Sequence, residues 1–91
     1  MSNTDRNTLY LPRIAAQDFE AFRKIMKDEI AATFQEWLER RRERIAYYER
    51  DILIEVNVRP DEFVRFCHAE SLAYNGRSLL DFAEFIGKAN K

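Results

Sequence analysis

The sequence predicts a mainly α protein with three to four helices and one central β-strand, in the order α-α-β-α-α. Three observations predict this class. Only two Gly and two Pro occur in 91 residues, which leaves little chain for loops. Apolar residues recur at helical spacing over most of the chain. One stretch, residues 51–59 (DILIEVNVR), alternates instead with the period of a strand.

The composition is that of an ordinary folded protein. Hydrophobic residues make up 46% of the chain, which argues against disorder, and a length of 91 residues predicts one domain, 1–91. The net charge of −1 gives no overall attraction to nucleic acid or to a membrane. A single cysteine suits a reducing compartment, and no apolar run is long enough to span a bilayer. We therefore expect a cytoplasmic protein.

Residues 1–14 are expected to form an extended arm that lies over the core. The alternative is a short edge strand, in which Leu9 and Leu11 point to one side and Tyr10 to the other. Such a strand would be an intramolecular partner for the central strand, and Pro12 would confine it to a sheet edge because proline has no N–H to donate. We favour the arm.

Residues 15–50 form the helical N-terminal half. Asp18 is in an N-cap region, and two apolar stripes follow at helical spacing. Their members are Phe19, Phe22, Met26 and Ile30, and then Phe34, Trp37, Leu38, Ile45 and Tyr48. The stripes are nearly in phase, so one long helix is possible. Thr33 followed by Glu36 fits a capping box, however, and favours two helices with a break near residues 28–33.

Residues 39–44 (ERRRER) are the densest run of charge. Their helical neighbours are of mixed sign, so the run is typical of a solvated helix face that carries pairs such as Glu36–Arg40. The alternative is an anion or phosphate patch. Arg41 lies one turn from Trp37, and we expect its guanidinium to stack on the indole ring.

The central strand has one apolar face, formed by Ile52, Ile54, Val56 and Val58. A single strand cannot satisfy its own backbone groups, so it needs a partner. We expect these four residues to pair with the same strand of a second copy, which makes the protein a homodimer. Pairing with Leu9–Leu11 of the same chain is the alternative.

Residues 51–91 read as strand, helix, turn and helix. Pro60 closes the strand and suits the first turn of a helix over residues 60–73. Tyr74, Asn75 and Gly76 are expected to stop that helix, because Asn and Gly tolerate a left-handed backbone. Ser78 is then expected to cap the last helix.

This order resembles the ribbon-helix-helix DNA-binding domains of the Arc-repressor type. Two segments carry the resemblance: residues 55–60 (EVNVRP) are similar to that family's ribbon, and residues 75–78 (NGRS) to its inter-helix turn. The resemblance implies that two copies pair their strands antiparallel into one ribbon. It also implies a regulatory protein that binds duplex DNA.

The resemblance further implies which residues meet the DNA. Glu55, Asn57 and Arg59 would enter the major groove, where Asn57 suits adenine and Arg59 suits guanine. A second set, at the turn, would hold a phosphate through backbone and side-chain donors; its members are Gly76, Arg77 and Ser78.

The competing function is a dimeric protein–protein interaction module that does not bind DNA. Residues 51–91 hold five basic and seven acidic side chains, whereas phosphate neutralisation supplies most of the affinity of DNA-binding proteins. The chain also has more aromatic side chains than a core of short helices must bury, and a remaining apolar patch would be an interface.

An enzyme is not expected. Cys67 and His68 are the only residues of their types, and adjacent helical positions point about 100° apart, so the two cannot act as a nucleophile–base pair. The sequence has no phosphate loop, dinucleotide fingerprint or zinc-ligand spacing. We therefore expect no catalytic residue, no metal site and no cofactor.

Overall fold

The structure is a computed structural model, and it describes residues 8–48 and 51–89. Within these ranges the chain is mainly helical, with four α-helices and a small two-stranded sheet. The elements in chain order are β1 (Thr8–Arg13), α1 (Ala16–Met26), α2 (Phe34–Tyr47), β2 (Ile52–Asn57), α3 (Pro60–Glu70) and α4 (Gly76–Ala89).

The prediction of a single strand is wrong. Thr8–Arg13 forms a strand rather than an arm and pairs parallel with β2, in a register that runs from Thr8 opposite Ile52 to Arg13 opposite Asn57. The order of the described elements is therefore β-α-α-β-α-α. Parallel pairing is possible because α1 and α2 return the chain to the end of the sheet where β1 began. Residues 1–7 of the predicted arm lie outside the described residues.

The predicted break between the first two helices is confirmed. Helix α1 ends at Met26, and Lys27 adopts φ 55°, a left-handed value that stops the helix without a glycine. A 3₁₀ turn over Lys27–Glu29 follows. Thr33 then caps α2, since its hydroxyl oxygen accepts a hydrogen bond from the Glu36 backbone N–H at 3.1 Å. The Glu36 carboxylate closes this cap by accepting from the Ala32 N–H at 3.2 Å.

The predicted start of α3 is confirmed, whereas its end differs. Pro60 occupies the first turn, as expected. The helix ends at Glu70 because Ser71, rather than Asn75 or Gly76, adopts the left-handed conformation that stops it. Gly76 has no positive φ and begins α4. Asn75 rather than Ser78 caps α4, through a 2.9 Å hydrogen bond that its side-chain oxygen accepts from the Ser78 N–H.

The core lies between one face of the sheet and helices α1, α3 and α4. Phe22 and Phe63 pack ring to ring at its centre, with centroids 5.8 Å apart, and both are fully buried. Helix α4 approaches the sheet so closely at Gly87 that any Cβ there would overlap the Tyr10 ring. This contact fixes β1 on α4.

Helix α2 is peripheral, since none of its residues is fully buried. Phe34 and Trp37 anchor its first turns against Phe19, with ring centroids 5.5 and 6.4 Å away. Arg41 lies over the Trp37 ring at 5.8 Å, as predicted. Within the described ranges, none of the helices combines the length and the apolar character needed to cross a bilayer.

Candidate functional site

The outer edge of β2 is the first candidate site. In a parallel ladder, successive residues of a strand direct their backbone groups alternately to its two sides. The Val58 N–H donates to Arg13 O at 3.1 Å, which places Val58 and the even-numbered residues of β2 on the side of β1. The N–H and C=O groups of Leu53, Glu55 and Asn57 therefore point away from β1, along an edge that pairs with no third strand of the described chain.

The four residues predicted to form the dimer strand divide into two pairs. Val56 and Val58 are buried against the chain's own core. Ile52 and Ile54 remain 45% and 39% exposed, although they belong to the same face. Half of the predicted strand therefore packs inside the monomer, and its other half presents large apolar side chains to solvent.

Ile54 lies next to an apolar surface on α4. Phe85 is 59% exposed and packs on Phe66, with ring centroids 5.3 Å apart. Ile86 lies between the two regions, since it lines both the cavity that contains Phe85 and the one that contains Ile54. We call Ile52, Ile54, Phe85 and Ile86 the edge patch.

The residues predicted to read DNA lie at or near this strand, and two of the three are engaged in ion pairs. Glu55 Oε1 is 3.0 Å from Arg41 Nη2 and 3.9 Å from Arg13 Nη1. Arg59 Nε is 3.4 Å from the Asp18 carboxylate. The Glu55 and Arg59 side chains are half exposed or more, so these pairs hold them weakly. Asn57 is exposed at the end of β2.

The residues predicted to hold a phosphate lie elsewhere, in the first turn of α4. Gly76 and Arg77 line a groove that faces α2, whereas Ser78 is buried. Among the described residues that line this groove, none belongs to β2. The structure thus separates the predicted phosphate site from the predicted reading site.

The same groove contains arginines for which the sequence favoured a solvated helix face. Arg40, Arg41 and Arg44 of α2 line the same cavity as Arg77 of α4, and its volume is about 390 Å³. Met26, Ile30, Trp37 and Leu79 contribute apolar walls. The run ERRRER in residues 39–44 was the available signal, but its helical neighbours of mixed sign favoured a solvated face. The Glu36–Arg40 pair expected there is present at 3.3 Å.

Arg41 connects the groove to the outer edge of β1. Its Nε donates to Pro12 O at 3.1 Å, and its buried Nη2 lies beside Glu55. The Nη2–Glu55 distance is that of an ion pair, yet Nη2 has no well-oriented hydrogen-bond acceptor within residues 8–48 and 51–89. The pair is therefore a close charge contact with poor hydrogen-bond geometry.

Cys67 and His68 are neighbours on α3 that differ in burial. Cys67 is buried, and desolvation raises the pKa of its thiol, which disfavours the reactive thiolate. His68 is exposed on the other side of α3, with its ring 6.5 Å from that of Tyr74. In the part of the chain that the structure describes, no three His, Cys, Asp or Glu side chains are placed to hold a metal ion.

Comparison of this chain with protein-family models, with curated proteins and with solved structures found no match.

Proposed function

We propose that this chain is a homodimeric interaction module whose two copies pair through the outer edge of β2. The observation that carries the proposal is that one strand, β2, has both outward-pointing backbone groups without a partner among the described residues and exposed isoleucines, Ile52 and Ile54. An open edge strand with apolar side chains is a template for another strand. A partner strand would satisfy the backbone groups of Leu53, Glu55 and Asn57.

The sequence of β2 favours an antiparallel pair centred on Ile54. Most soluble oligomers are closed and two-fold, and a two-fold axis makes identical strands antiparallel. Centring the pair on Ile54 places Ile54 opposite its own copy and Leu53 opposite Glu55 of the second copy. Centring it on Glu55 would place two carboxylates opposite each other, which is destabilising.

This arrangement agrees with the backbone pattern of the strand. The outward-pointing residues Leu53 and Glu55 would form hydrogen-bonded pairs, and Ile54 would form a non-hydrogen-bonded pair. Side chains are closest in pairs of the second kind. The exposed isoleucines of the two copies would therefore bury each other at the dimer axis.

A disulfide experiment tests the register. In a Cys67→Ala background, Ile54→Cys would place two thiols across the axis at a separation of about 4.5 Å between Cα atoms, within the range that a disulfide spans. We expect mild oxidation to convert most of this variant into a covalent dimer. Ile52→Cys is the matched control: its Cα atoms would lie four residues apart along the ribbon, so it should remain monomeric in a denaturing gel. Equal cross-linking of both variants, or of neither, would contradict the proposed pair.

DNA reading is the second candidate, favoured by the exposed polar side chains of Asn57 and Arg59. Two-fold pairing would bring two copies of these residues to one face of a four-stranded sheet. If that face reads bases, Arg59→Ala and Asn57→Ala should each cost roughly 1–3 kcal/mol of sequence discrimination in a duplex titration. Binding that weakens steeply with salt would support this function, and unchanged binding by both variants would exclude the strand as the reader.

A further inference from the structure

We propose that the groove between α2 and the start of α4 binds a small amphipathic anion, that is, an aromatic or branched apolar body with a phosphate or carboxylate group. We call it the arginine groove. It is lined by Arg40, Arg41, Arg44 and Arg77 together with apolar side chains. No residue of its described lining belongs to β2, so the site is independent of the proposed dimer.

The charge of the groove selects the sign of the ligand. The lining residues include four arginines and one carboxylate residue, Glu29. Three of the arginines also lie near carboxylates outside the lining, in the pairs Arg40–Glu36, Arg41–Glu55 and Arg77–Asp81. Guanidinium groups bind phosphate and carboxylate oxygens through paired, charge-assisted hydrogen bonds. Arginines gathered from two helices around one cavity therefore favour an anionic group at its rim.

The arginines retain donors for such a group. The Arg40–Glu36 pair is solvent-exposed, and Arg77 Nε is as far as 3.7 Å from Asp81. Pairs of this kind are weak and exchange readily for a better acceptor. Arg44 makes no ion pair with any carboxylate of residues 8–48 and 51–89. Arg41, in contrast, is held by Pro12 O and Glu55, so it lines the groove without offering these donors to a ligand.

The apolar lining and the volume of the groove determine what kind of apolar group a ligand could place there. Ile30, Trp37 and Leu80 are partly exposed and supply apolar surface, and the cavity of about 390 Å³ is at the small end of the range for ligand pockets. Inorganic phosphate alone would leave this surface in contact with water. A ligand that joins a ring or branched chain to an anionic group would use both parts of the groove.

Trp37 makes the test direct, because it is the only tryptophan of the chain and lines the groove. We would follow its fluorescence while adding phenyl phosphate, benzyl alcohol or inorganic phosphate to the full chain. The proposal expects a saturable change with phenyl phosphate, at a concentration roughly tenfold lower than either the neutral ring or the bare anion requires. Phenylacetate in a fourth titration distinguishes a carboxylate from a phosphate source.

Variants then place the site. Arg44→Gln and Arg77→Gln are exposed substitutions that should each weaken phenyl phosphate binding by about tenfold, through the loss of one charge-assisted donor. Arg42→Gln and Arg65→Gln remove exposed arginines outside the groove and should leave binding unchanged. Three results would overturn the proposal. The two control substitutions could weaken binding as much as the two groove substitutions do. The neutral ring could bind as tightly as the anion, or Trp37 fluorescence could show no saturable change.

Discussion

The two outer edges of the sheet differ in how far other parts of the chain cover them. At β1, Pro12 occupies an outward-facing position where no N–H is needed, and its carbonyl accepts from Arg41 of α2. At β2, the outward-facing positions are Leu53, Glu55 and Asn57, and the exposed Ile54 lies between them. Proline and covering side chains are common ways to block an edge strand. Residues of α2 cover the outer edge of β1, whereas within residues 8–48 and 51–89 no third strand pairs with the outer edge of β2.

The largest expected effect comes from breaking the ladder between the strands. Val56→Pro removes an N–H that points toward β1, leaves a carbonyl of β1 unpaired and changes the shape of a buried side chain. We expect it to lower the free energy of unfolding by roughly 3 kcal/mol or more, measured by urea denaturation. Asn57→Pro is the matched control, because its N–H points away from β1 and its side chain is exposed. Similar losses in both variants would mean that the assignment of inward and outward positions is wrong.

A smaller effect is expected where β1 rests on α4. Gly87→Ala would force the new Cβ into the Tyr10 ring and should cost about 1–3 kcal/mol of stability. Gly76→Ala is the control in the same helix, since no atom lies within 4 Å of a Cβ built there. That variant should be neutral or stabilising by up to about 1 kcal/mol. Thermal unfolding of the pair would show whether the close approach of α4 fixes β1, and equal midpoints would argue against it.

Removing the cover of the β1 edge should have a moderate effect. Arg41→Met keeps much of the packing on Trp37 but deprives Pro12 O of its donor and Glu55 of its nearer guanidinium. We expect a loss of about 1–2 kcal/mol in urea denaturation. Arg42→Met, on the exposed side of α2, should change stability by less than about 0.5 kcal/mol. An Arg41 variant as stable as the Arg42 variant would show that the cover is not needed.

The smallest effect on the monomer is expected at the open edge. Ile54→Lys introduces a charge where the isoleucine is already partly in water, so the stability of the dilute monomer should change by less than about 0.5 kcal/mol. The same change should prevent self-association, because it places two lysines opposite each other at the proposed axis. A large loss of stability at low concentration would mean that Ile54 is needed within the chain.

Local sequence signals predicted much of this fold. Alternation with β-branched residues identified β2, the Thr33–Glu36 spacing identified the start of α2, and Pro60 identified the start of α3. Each of these features depends on residues within a few positions of one another. Ser71 shows the limit of such signals, because it adopts a left-handed backbone although Asn75 and Gly76 nearby are better suited to it.

Local signals did not identify the features that depend on distant parts of the chain, and the edge strand at Leu9–Leu11 was only the less favoured alternative to an arm. Strand β1 is short and contains Pro12, so only its pairing with β2, more than forty positions away, identifies it. The arginine groove likewise requires α2 and the start of α4 to lie side by side. From the sequence alone, Arg40 and Arg77 belong to two unrelated surfaces, and nothing in their local pattern indicates that they line one cavity.

In the proposed homodimer, a second copy of the chain pairs with the outer edge of β2. Sedimentation equilibrium on the wild type and on Ile54→Lys tests this pairing. We predict that the wild type sediments as a dimer and that Ile54→Lys sediments as a folded monomer with an unchanged circular dichroism spectrum. A wild-type chain that remains monomeric at high protein concentration would contradict the proposed homodimer, and so would an Ile54→Lys variant that dimerises as tightly as the wild type.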